Sequence, residues 1–467
     1  MKLSIYIKRF VIIMVCCCMV SCESFVEVDA PDHKIVSEAV FDDDAMAISV
    51  MTGIYNQLFR AFFSSGGSDS VTALAGLSAD NLRCIRTTDP TRLEFEQNEI
   101  LPNNPRNLNV WTSAYNIIYM TNSLLEGLTN SGKITEEIRN QLEGEAKFVR
   151  AFTYFYLVNL YGGVPLVLTT DYRVNALAVR DTEEEVYQQI IEDLEDAMDK
   201  LEENYINGER TQVNTFVVMA LLARVNLYQQ NWEEAERLST QVISQAGTYE
   251  ILEDPDQVFL ANSHEAIWQL SPVGRGSAST NTNEGSIFII NPRITALSHL
   301  KLSDDIVGTF QSPDKRLSHW VGFHEGLAVH YAYKYKIRNS TADITEYSMV
   351  LRLAEQYLIR AEARAMQGKL KEAIADLDVI RNRANLDLIS DINPGIDQEA
   401  LLEKIMEERR KEFFTEWGHR WLDLKRTGTA SEVLGTGHPL WQDTDIRYPI
   451  PEEERIKNPN LGQNNGY

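Results

Sequence analysis

An internal repeat constrains the fold of this chain more than any other feature of its sequence. Residues 220–235 match residues 358–373 at a constant offset of 138 positions, and each copy places two alanines 12 positions apart across a short turn. Small residues at such positions let two paired helices approach closely. Because one helical hairpin cannot bury its apolar stripe alone, the repeat predicts that neighbouring hairpins stack into an array.

Helical periodicity also covers much of the remaining chain and predicts a mostly α fold, in which tetratricopeptide-like helical hairpins form the array. Long irregular loops and a few short strands complete the expected fold. Alternation of side chains over 329–337 predicts one half-buried strand with an aromatic face, and the chain after Gly428 is expected to be mostly irregular. The predicted helices span 41–61, 108–128, 134–160, 182–203, 212–229, 232–246, 346–368, 370–384 and 398–418.

The first 21 residues are typical of an export signal that is removed. Lys2, Lys8 and Arg9 precede an apolar stretch that is shorter than the roughly 20 residues needed to cross a bilayer. The sequence Met-Val-Ser-Cys at 19–22 resembles a bacterial lipobox, which implies cleavage before Cys22 and lipidation of its sulfur. The alternative is an ordinary signal peptide followed by a chance cysteine.

Charge and composition limit the possible partners of the mature chain. Residues 22–40 are expected to form a lipidated, extended tether, because the stretch after Cys22 is short, acidic and interrupted by proline. The formal net charge is −24, and loss of the three basic residues of the signal would make it −27. A surface of this sign repels phosphate backbones, which argues against nucleic acid as a partner.

Cysteine usage leaves no internal disulfide. Three of the five cysteines lie in the export signal and a fourth is Cys22, so that Cys84 alone remains. We expect Cys84 to be a small buried hydrophobic residue rather than a reactive thiol. Stability must therefore come from a large core.

Four separated motifs, together with the lipobox, resemble one known family. Glu407–Phe413 is followed by a second basic stretch with Trp421, and Tyr448-Pro449-Ile450-Pro451-Glu452 lies near the end of the chain. In this order the motifs are similar to those of SusD/RagB-type nutrient-binding lipoproteins of the Bacteroidetes outer membrane. The motifs span 145–166, 354–363, 407–428 and 448–467.

The resemblance covers essentially the whole chain and implies a function. It implies that 41–467 form a single SusD-like helical domain on a cell-surface lipoprotein anchored in the outer membrane. Such proteins cap a SusC-like, TonB-dependent transporter and deliver glycan oligosaccharides to it, or peptides in some members. The residues of the motifs themselves favour a scaffold role rather than a ligand site. Phe413, Phe414, Trp417 and Trp421 are expected in the core, and Glu145, Arg150, Arg409 and Arg410 are expected to have structural roles, such as pairing with charges on other helices.

The resemblance places the ligand face on irregular segments outside the scaffold, here about 64–107 and 265–335. Sugar rings bind by laying their C–H faces on aromatic rings, while Asn, Asp and Arg side chains bond to the hydroxyl groups. Tyr331, Tyr333 and Tyr335 are expected to face the core instead. The candidate ligand-binding residues are Asp80, Asn81, Arg83, Arg86, Phe95 and Trp320, the last beside Arg316 and His319.

No catalytic constellation stands out in the sequence. His324 and Glu325 are followed by His330, which lacks the one-turn spacing of a zinc-binding helix. The sequence shows neither a nucleophile elbow nor a Gly-rich phosphate loop. Adjacent acids such as Asp304 and Asp305 carry no weight in a chain with 68 acidic residues. We therefore expect a binding protein rather than an enzyme, with no cofactor and no metal.

The sequence leaves the ligand class open. Residues 64–107 contain no Trp or Tyr, so a stacking arc for starch-like helices is not evident. Arg83, Arg86, Arg92 and Arg106 would suit an anionic glycan or peptide carboxylates, whereas the net charge disfavours strongly anionic ligands unless the site is locally basic. A further alternative is a lipoprotein whose helical array holds protein partners and no nutrient.

Overall fold

The computed structural model describes residues 41–272, 281–340, 342–436 and 440–467. The predicted export signal, the lipidation site Cys22 and the predicted tether lie outside the described residues. The described chain is mostly helical, as predicted. In chain order the helices are α1 (Asp44–Arg60), α2 (Val71–Ser78), α3 (Pro90–Gln97), α4 (Pro105–Asn130), α5 (Glu136–Tyr161), α6 (Tyr172–Asn175), α7 (Glu183–Lys200), α8 (Thr215–Tyr228), α9 (Trp232–Ile243), α10 (Asn283–Phe288), α11 (Asp304–Thr309), α12 (Lys315–Trp320), α13 (Leu353–Met366), α14 (Leu370–Arg383), α15 (Ile389–Ile392), α16 (Gln398–Glu412), α17 (His419–Arg426), α18 (Ala430–Gly435) and α19 (Glu452–Lys457).

The repeated hairpins are confirmed. Three pairs of their bounds keep the offset of 138 seen in the sequence, and the second helix of the second hairpin ends two residues later. Helices α8 and α9 form the first hairpin, and α13 and α14 form the second. Helix α9 packs against both α8 and α13, so the two hairpins are neighbours in one array. Helices α4, α5 and α7 extend the array, because each packs on the next and α7 packs on α8. The repeated alanines are fully buried at Ala223, Ala235, Ala361 and Ala373.

Side-chain caps explain where several of these helices begin. Asp43 accepts a hydrogen bond from the backbone N–H of Met46 at the start of α1, at 2.9 Å. Asn214 accepts one from Val217 at the start of α8, also at 2.9 Å. Each cap satisfies a backbone donor that the helix itself cannot pair, which is worth about 1 kcal/mol.

Ion pairs link neighbouring helices of the scaffold. The sequence predicted such pairing for the charged residues of the motifs. Arg150 on α5 makes two hydrogen bonds to Asp193 on α7, at 2.8 and 2.7 Å. Arg409 on α16 lies 2.9 Å from Asp423 on α17. These side chains are buried, so each pair lies within the scaffold rather than on a ligand surface.

Residues 64–107 are not irregular throughout, contrary to the expectation for this segment. They contain α2, β1 (Leu82–Cys84) and α3. All eight residues of α2 are buried, so this helix lacks the polar face that helical periodicity would reveal. Helix α3 begins at Pro90 behind the capping residue Asp89, a combination that in sequence also suggests a turn.

Three other predicted boundaries are wrong. Strand β6 (Ser348–Arg352) occupies the region where the helix 346–368 was expected to begin, and all five of its residues are buried. A fully buried strand reads as an apolar run, which periodicity alone cannot distinguish from a helix. The predicted strand 329–337 is shorter and ends as β5 (Val329–Ala332), and the predicted helix 398–418 ends at Glu412.

The strands form three antiparallel pairs, in which β1 pairs with β3 (Leu300–Leu302), β2 (Ala266–Leu270) with β6, and β4 (Val321–His324) with β5. Every residue of β2 and β6 is buried, whereas the other two pairs lie nearer the surface. Among the described helices, none combines the length and the apolar composition that crossing a bilayer would require.

A buried network of charged side chains joins β6 to helices α12, α14 and α16. Arg352 on β6 lies 2.9 Å from Glu265, and Arg383 on α14 lies 3.1 Å from the same carboxylate. Glu412 at the end of α16 forms ion pairs with Arg316, Arg352 and Arg383. Burial alone would favour the neutral carboxyl, but the charges of these three arginines hold the pKa of Glu412 well below its usual range.

Candidate ligand-binding face

The two segments predicted to carry the ligand face come together at β1 and β3. These strands pair antiparallel, with Arg83 opposite Lys301. Beyond the strands, the backbone N–H of Ile85 donates to the carbonyl oxygen of His299 at 2.8 Å. At the other end, the N–H of Ser303 donates to the carbonyl oxygen of Asn81 at 2.9 Å. The pairing therefore builds one surface from segments that are distant in sequence.

A β-hairpin formed by β4 and β5, called the aromatic hairpin below, lies beside β3. Phe323 and His330 are Cα partners across it, and their ring centroids are 4.9 Å apart. Phe323 is 52% exposed and His330 is half-buried. The ring of Tyr331 crosses Gly322, where an added Cβ would lie 2.3 Å from the Tyr331 Cζ atom. Gly322 therefore allows this ring to lie close against the neighbouring strand.

The aromatic hairpin and the adjoining strands offer the two kinds of group that a sugar needs. The exposed Phe323 ring can stack on the C–H face of a pyranose. Polar side chains stand on the β1–β3 side, where Arg86 and His299 are exposed and Lys301 is half-buried. Partial burial, helped by the charge of nearby Arg92, lowers the pKa of His299, which favours its neutral form at neutral pH.

Asp80 and Asn81, both predicted as ligand-binding residues, attach the start of β1 to the C-terminal helices. Asp80 lies 2.8 Å from Arg410 and 3.0 Å from Arg420. Although burial opposes ionisation, the hydrogen bond from Arg420 and the two positive charges lower the pKa of Asp80. The Asn81 side-chain oxygen accepts a hydrogen bond from Arg410 at 3.0 Å. Both side chains thus already have protein partners next to the face.

Arg83 and Arg86, also predicted as ligand-binding residues, differ in solvent exposure and in ion pairing. Arg83 lies 3.9 Å from Glu96 and is partly covered, whereas Arg86 is exposed. Glu96 also accepts a hydrogen bond from the backbone N–H of Cys84 at 2.6 Å. Burial together with Glu96 raises the pKa of the Cys84 thiol, which is half-buried against the core. An unreactive thiol is therefore the reading that fits this environment.

Phe95 and Trp320 are placed in the core, which does not match the exposed stacking role expected of them. Phe95 is 0% exposed and packs edge-on against Tyr448, at a ring-centroid distance of 5.3 Å. Trp320 is 0% exposed and donates its indole N–H to the carbonyl oxygen of Pro255 at 3.0 Å. The C-terminal tail and the buried charge network cover these rings, and loop composition gives no sign of that cover.

Among the described residues of the two predicted segments, the exposed aromatic ring is that of Phe323 on the hairpin. Tyr335 is buried, as expected, but Tyr331 and Tyr333 are half-buried. Phe323 and His330 were absent from the predicted set. A signal was available, because two short alternating runs flank the hairpin turn at Glu325 and Gly326.

A groove of about 1270 Å³ runs along α16 and α17. Arg410 and Arg420, which hold Asp80 from one side, also line this groove. Its walls mix charged and apolar side chains, including Trp232, Met366 and Glu403. The groove belongs to the scaffold rather than to the β1–β3 surface.

Asp254, Asp256 and His319 come close enough to share a cation. The two carboxylate oxygens of Asp256, however, already lie 3.0 Å from His319 and 2.8 Å from the Lys336 ammonium group. The Lys336 charge neutralises the Asp256 carboxylate that a cation would need. The donor set therefore fits an ion-pair cluster better than a metal centre.

Comparisons with known proteins relate this arrangement to a family. A family model described as "SusD-like_3: Starch-binding associating with outer membrane" matches residues 74–227. A second model, "SusD family", matches residues 327–467. Together the two models account for more than half of the chain. The first includes β1, and the second begins at residue 327 and therefore includes β5 but not β4.

Relatives and solved structures extend the match over nearly the whole length. SusD-like protein P25 of Formosa agariphila is 25% identical over 96% of this chain and 97% of its own. A SusD superfamily protein from Bacteroides vulgatus has the same fold with a TM-score of 0.80, 22% identity, and coverage of 91% of this chain and 99% of its own. A laminarin-binding SusD-like protein aligns with a TM-score of 0.78, 22% identity, and coverage of 91% and 100%.

Proposed function

Because this chain belongs to the SusD/RagB family of non-catalytic binding proteins, we propose that it is a cell-surface lipoprotein that binds glycan oligosaccharides and delivers them to a SusC-like, TonB-dependent outer-membrane transporter. Cys22 would carry the lipid anchor, with 22–40 as the tether. The family description already associates such proteins with the outer membrane. The observation that carries the proposal is the exposed aromatic hairpin beside the paired β1 and β3.

A glycan fits this surface better than the alternatives do. A 52% exposed ring on a hydrogen-bonded hairpin is a rigid platform, so little conformational freedom is lost when a sugar stacks on it. Neutral imidazole groups can both donate to and accept from hydroxyl groups. The names of similar proteins include a starch-binding and a laminarin-binding member, which supports the same ligand class.

Peptide capture receives less support from the arginines that suggested it. Arg83 lies near Glu96, Arg92 lies 3.0 Å from Asp89, and Arg106 pairs with Asp69 and Asp89. Of these four basic side chains, Arg86 is the exposed one. Most of the positive charge that could hold a peptide carboxylate is thus already neutralised within the protein.

Calorimetry with purified protein lacking residues 1–22 tests the ligand class. Laminarihexaose and maltohexaose are the first probes, followed by other oligosaccharide classes and by peptide mixtures. We expect binding to an oligosaccharide and a loss of about fivefold in affinity for Phe323→Ala, since one stacking contact contributes about 1 kcal/mol.

Tyr119→Ala is the matched control, because Tyr119 is also 52% exposed but lies on α4. Its affinity should equal that of the unchanged protein. Saturable binding of peptides without any oligosaccharide binding, or an unchanged affinity in Phe323→Ala, would refute the assignment.

A further inference from the structure

A second exposed apolar surface lies far in sequence from the aromatic hairpin. It is formed by the segment 168–179, which connects α5 to α7, and is called the 168–179 patch below. Large exposed apolar side chains that cluster in this way mark interaction sites more often than isolated ones do. The exposed fractions are 42% for Leu168, 76% for Tyr172, 62% for Val174, 59% for Leu177 and 59% for Val179.

The backbone of the patch is held firmly although its side chains are exposed. The N–H of Thr170 donates to Glu126 on α4 at 2.8 Å. Asn458 and Asn460, which follow α19, donate to the carbonyl oxygens of Ala178 and Leu177, at 2.7 and 2.8 Å. Ile456 on α19, next to these asparagines, is itself 76% exposed. An apolar surface that is ordered in advance loses little entropy when a partner covers it.

The patch lies at the end of the molecule where the chain arrives from the predicted lipid anchor. The Phe41 ring packs against Gly127 near the end of α4, where an added Cβ would lie 2.0 Å from it. Ser131 then donates to the carbonyl oxygen of Phe41 at 2.7 Å. The same end of α4 contacts the patch, because Glu126 accepts the hydrogen bond from Thr170, and Asn122 donates to the carbonyl oxygen of Val167, directly before the patch, at 2.8 Å. Residues 22–40 reach at most about 65 Å, so the proposed anchor would hold this end within that distance of the membrane.

A protein fits this surface better than lipid does. Asp171 and Arg173 form an exposed ion pair of 2.7 Å within the patch, and Glu452, Glu453 and Glu454 begin the neighbouring α19. Placing these charges in hydrocarbon would cost several kcal/mol. An interface with a protein instead combines an apolar centre with a polar rim that can pair with such charges.

We infer that the 168–179 patch is the docking surface for the extracellular side of the membrane-embedded transporter. This inference rests on the proposed function, which supplies the partner, and it adds the surface that the partner covers. The apolar side chains form the centre of the contact, and the Asp171–Arg173 pair lies at its rim.

Co-purification of the transporter with the full-length, lipidated protein tests the inference. In the double variant Leu177→Asp and Val179→Asp, both changes fall on exposed side chains, so the fold should be retained and its thermal unfolding unchanged. We expect the amount of co-purified transporter to fall at least tenfold. Ile392→Asp is the matched control, because Ile392 is 58% exposed on α15 outside the patch and should retain the transporter.

The outcomes separate the two proposals. If the unchanged protein retrieves no transporter, the proposed partnership fails. If it retrieves the transporter and the double variant does so equally well, the docking surface is refuted while the function stands. A Cys22→Ala protein that floats with phosphatidylethanolamine–phosphatidylglycerol vesicles, and stops doing so in the double variant, would overturn the inference in favour of lipid. We expect no flotation.

Discussion

Glu284 on α10 places its carboxyl group in the core next to Gly66. The Ser348 hydroxyl donates to it, and an added Cβ at Gly66 would lie 2.1 Å from the Glu284 Cδ atom. Gly66 also has a φ of +69°, so two separate constraints require glycine there. Burial raises the pKa of Glu284 to about 7.

This raised pKa predicts a pH dependence of stability. A carboxyl group with a folded-state pKa above its unfolded value favours folding at low pH, and the benefit is lost as the pH rises from about 4.5 through about 7. Glu284→Gln removes the ionisation. Between pH 5 and pH 8, the free energy of unfolding of the variant should therefore gain about 2 kcal/mol relative to the unchanged protein. Urea unfolding at both pH values measures this difference.

Glu250→Gln serves as the control for this titration, because Glu250 is exposed. It should show the same pH dependence as the unchanged protein. A Glu284→Gln variant with no relative gain at pH 8 would show that the buried carboxyl does not titrate in this range.

At the scale of elements, α16 matters because its last residue enters the buried charge network. Glu412 forms ion pairs with Arg316, Arg352 and Arg383 and thereby joins α12, β6 and α14. Removing one charge from a buried network leaves the others uncompensated, which typically costs about 3–5 kcal/mol. Glu412→Gln should therefore lower the free energy of unfolding by about that amount, as measured by urea denaturation.

Glu403→Gln on the same helix is the comparison, since Glu403 is exposed. It should change the free energy of unfolding by less than about 0.5 kcal/mol. Equal stabilities of the two variants would mean that the network contributes nothing beyond what a surface charge does.

Elements with a repeating pattern were predictable from sequence, and elements without one were not. The hairpins α8–α9 and α13–α14 follow from a period of 3.6 residues combined with an internal repeat. Helix α2 and strand β6 are buried on every side, so they lack the alternation between apolar and polar residues that reveals an element. Segments that are distant in sequence bury α2 and β6, and the local sequence pattern carries no information about such long-range contacts.

The same reason explains what could be predicted at the candidate face. The segments 64–107 and 265–335 were expected to form the ligand face, and the pairing of β1 with β3 brings parts of both together. Within them, Phe95 and Phe323 are indistinguishable by composition. Tyr448 covers Phe95 from the far end of the chain, whereas Phe323 stays exposed. Only the folded structure shows that Phe95 is buried and Phe323 is exposed.

For the whole molecule, the central prediction concerns attachment to the membrane. Cys22→Ala should release the protein from the membrane fraction without changing its thermal unfolding, because the described fold begins at residue 41. Membrane fractionation and circular dichroism measure the two effects. Cys84→Ala is the control that also removes a cysteine from the mature chain, and it should stay attached. Firm retention of Cys22→Ala after a carbonate wash would contradict the anchor.

The pairing of β1 with β3 has a consequence for the stage of synthesis at which the candidate face can form. Its two strands lie some 220 positions apart along the polypeptide. An N-terminal fragment that ends before Leu300, whether from stalled synthesis or from proteolysis, would keep much of the first helices but have no recognition surface at all. This surface therefore forms late and all at once, and under the proposed function truncated copies would occupy transporters without binding a glycan.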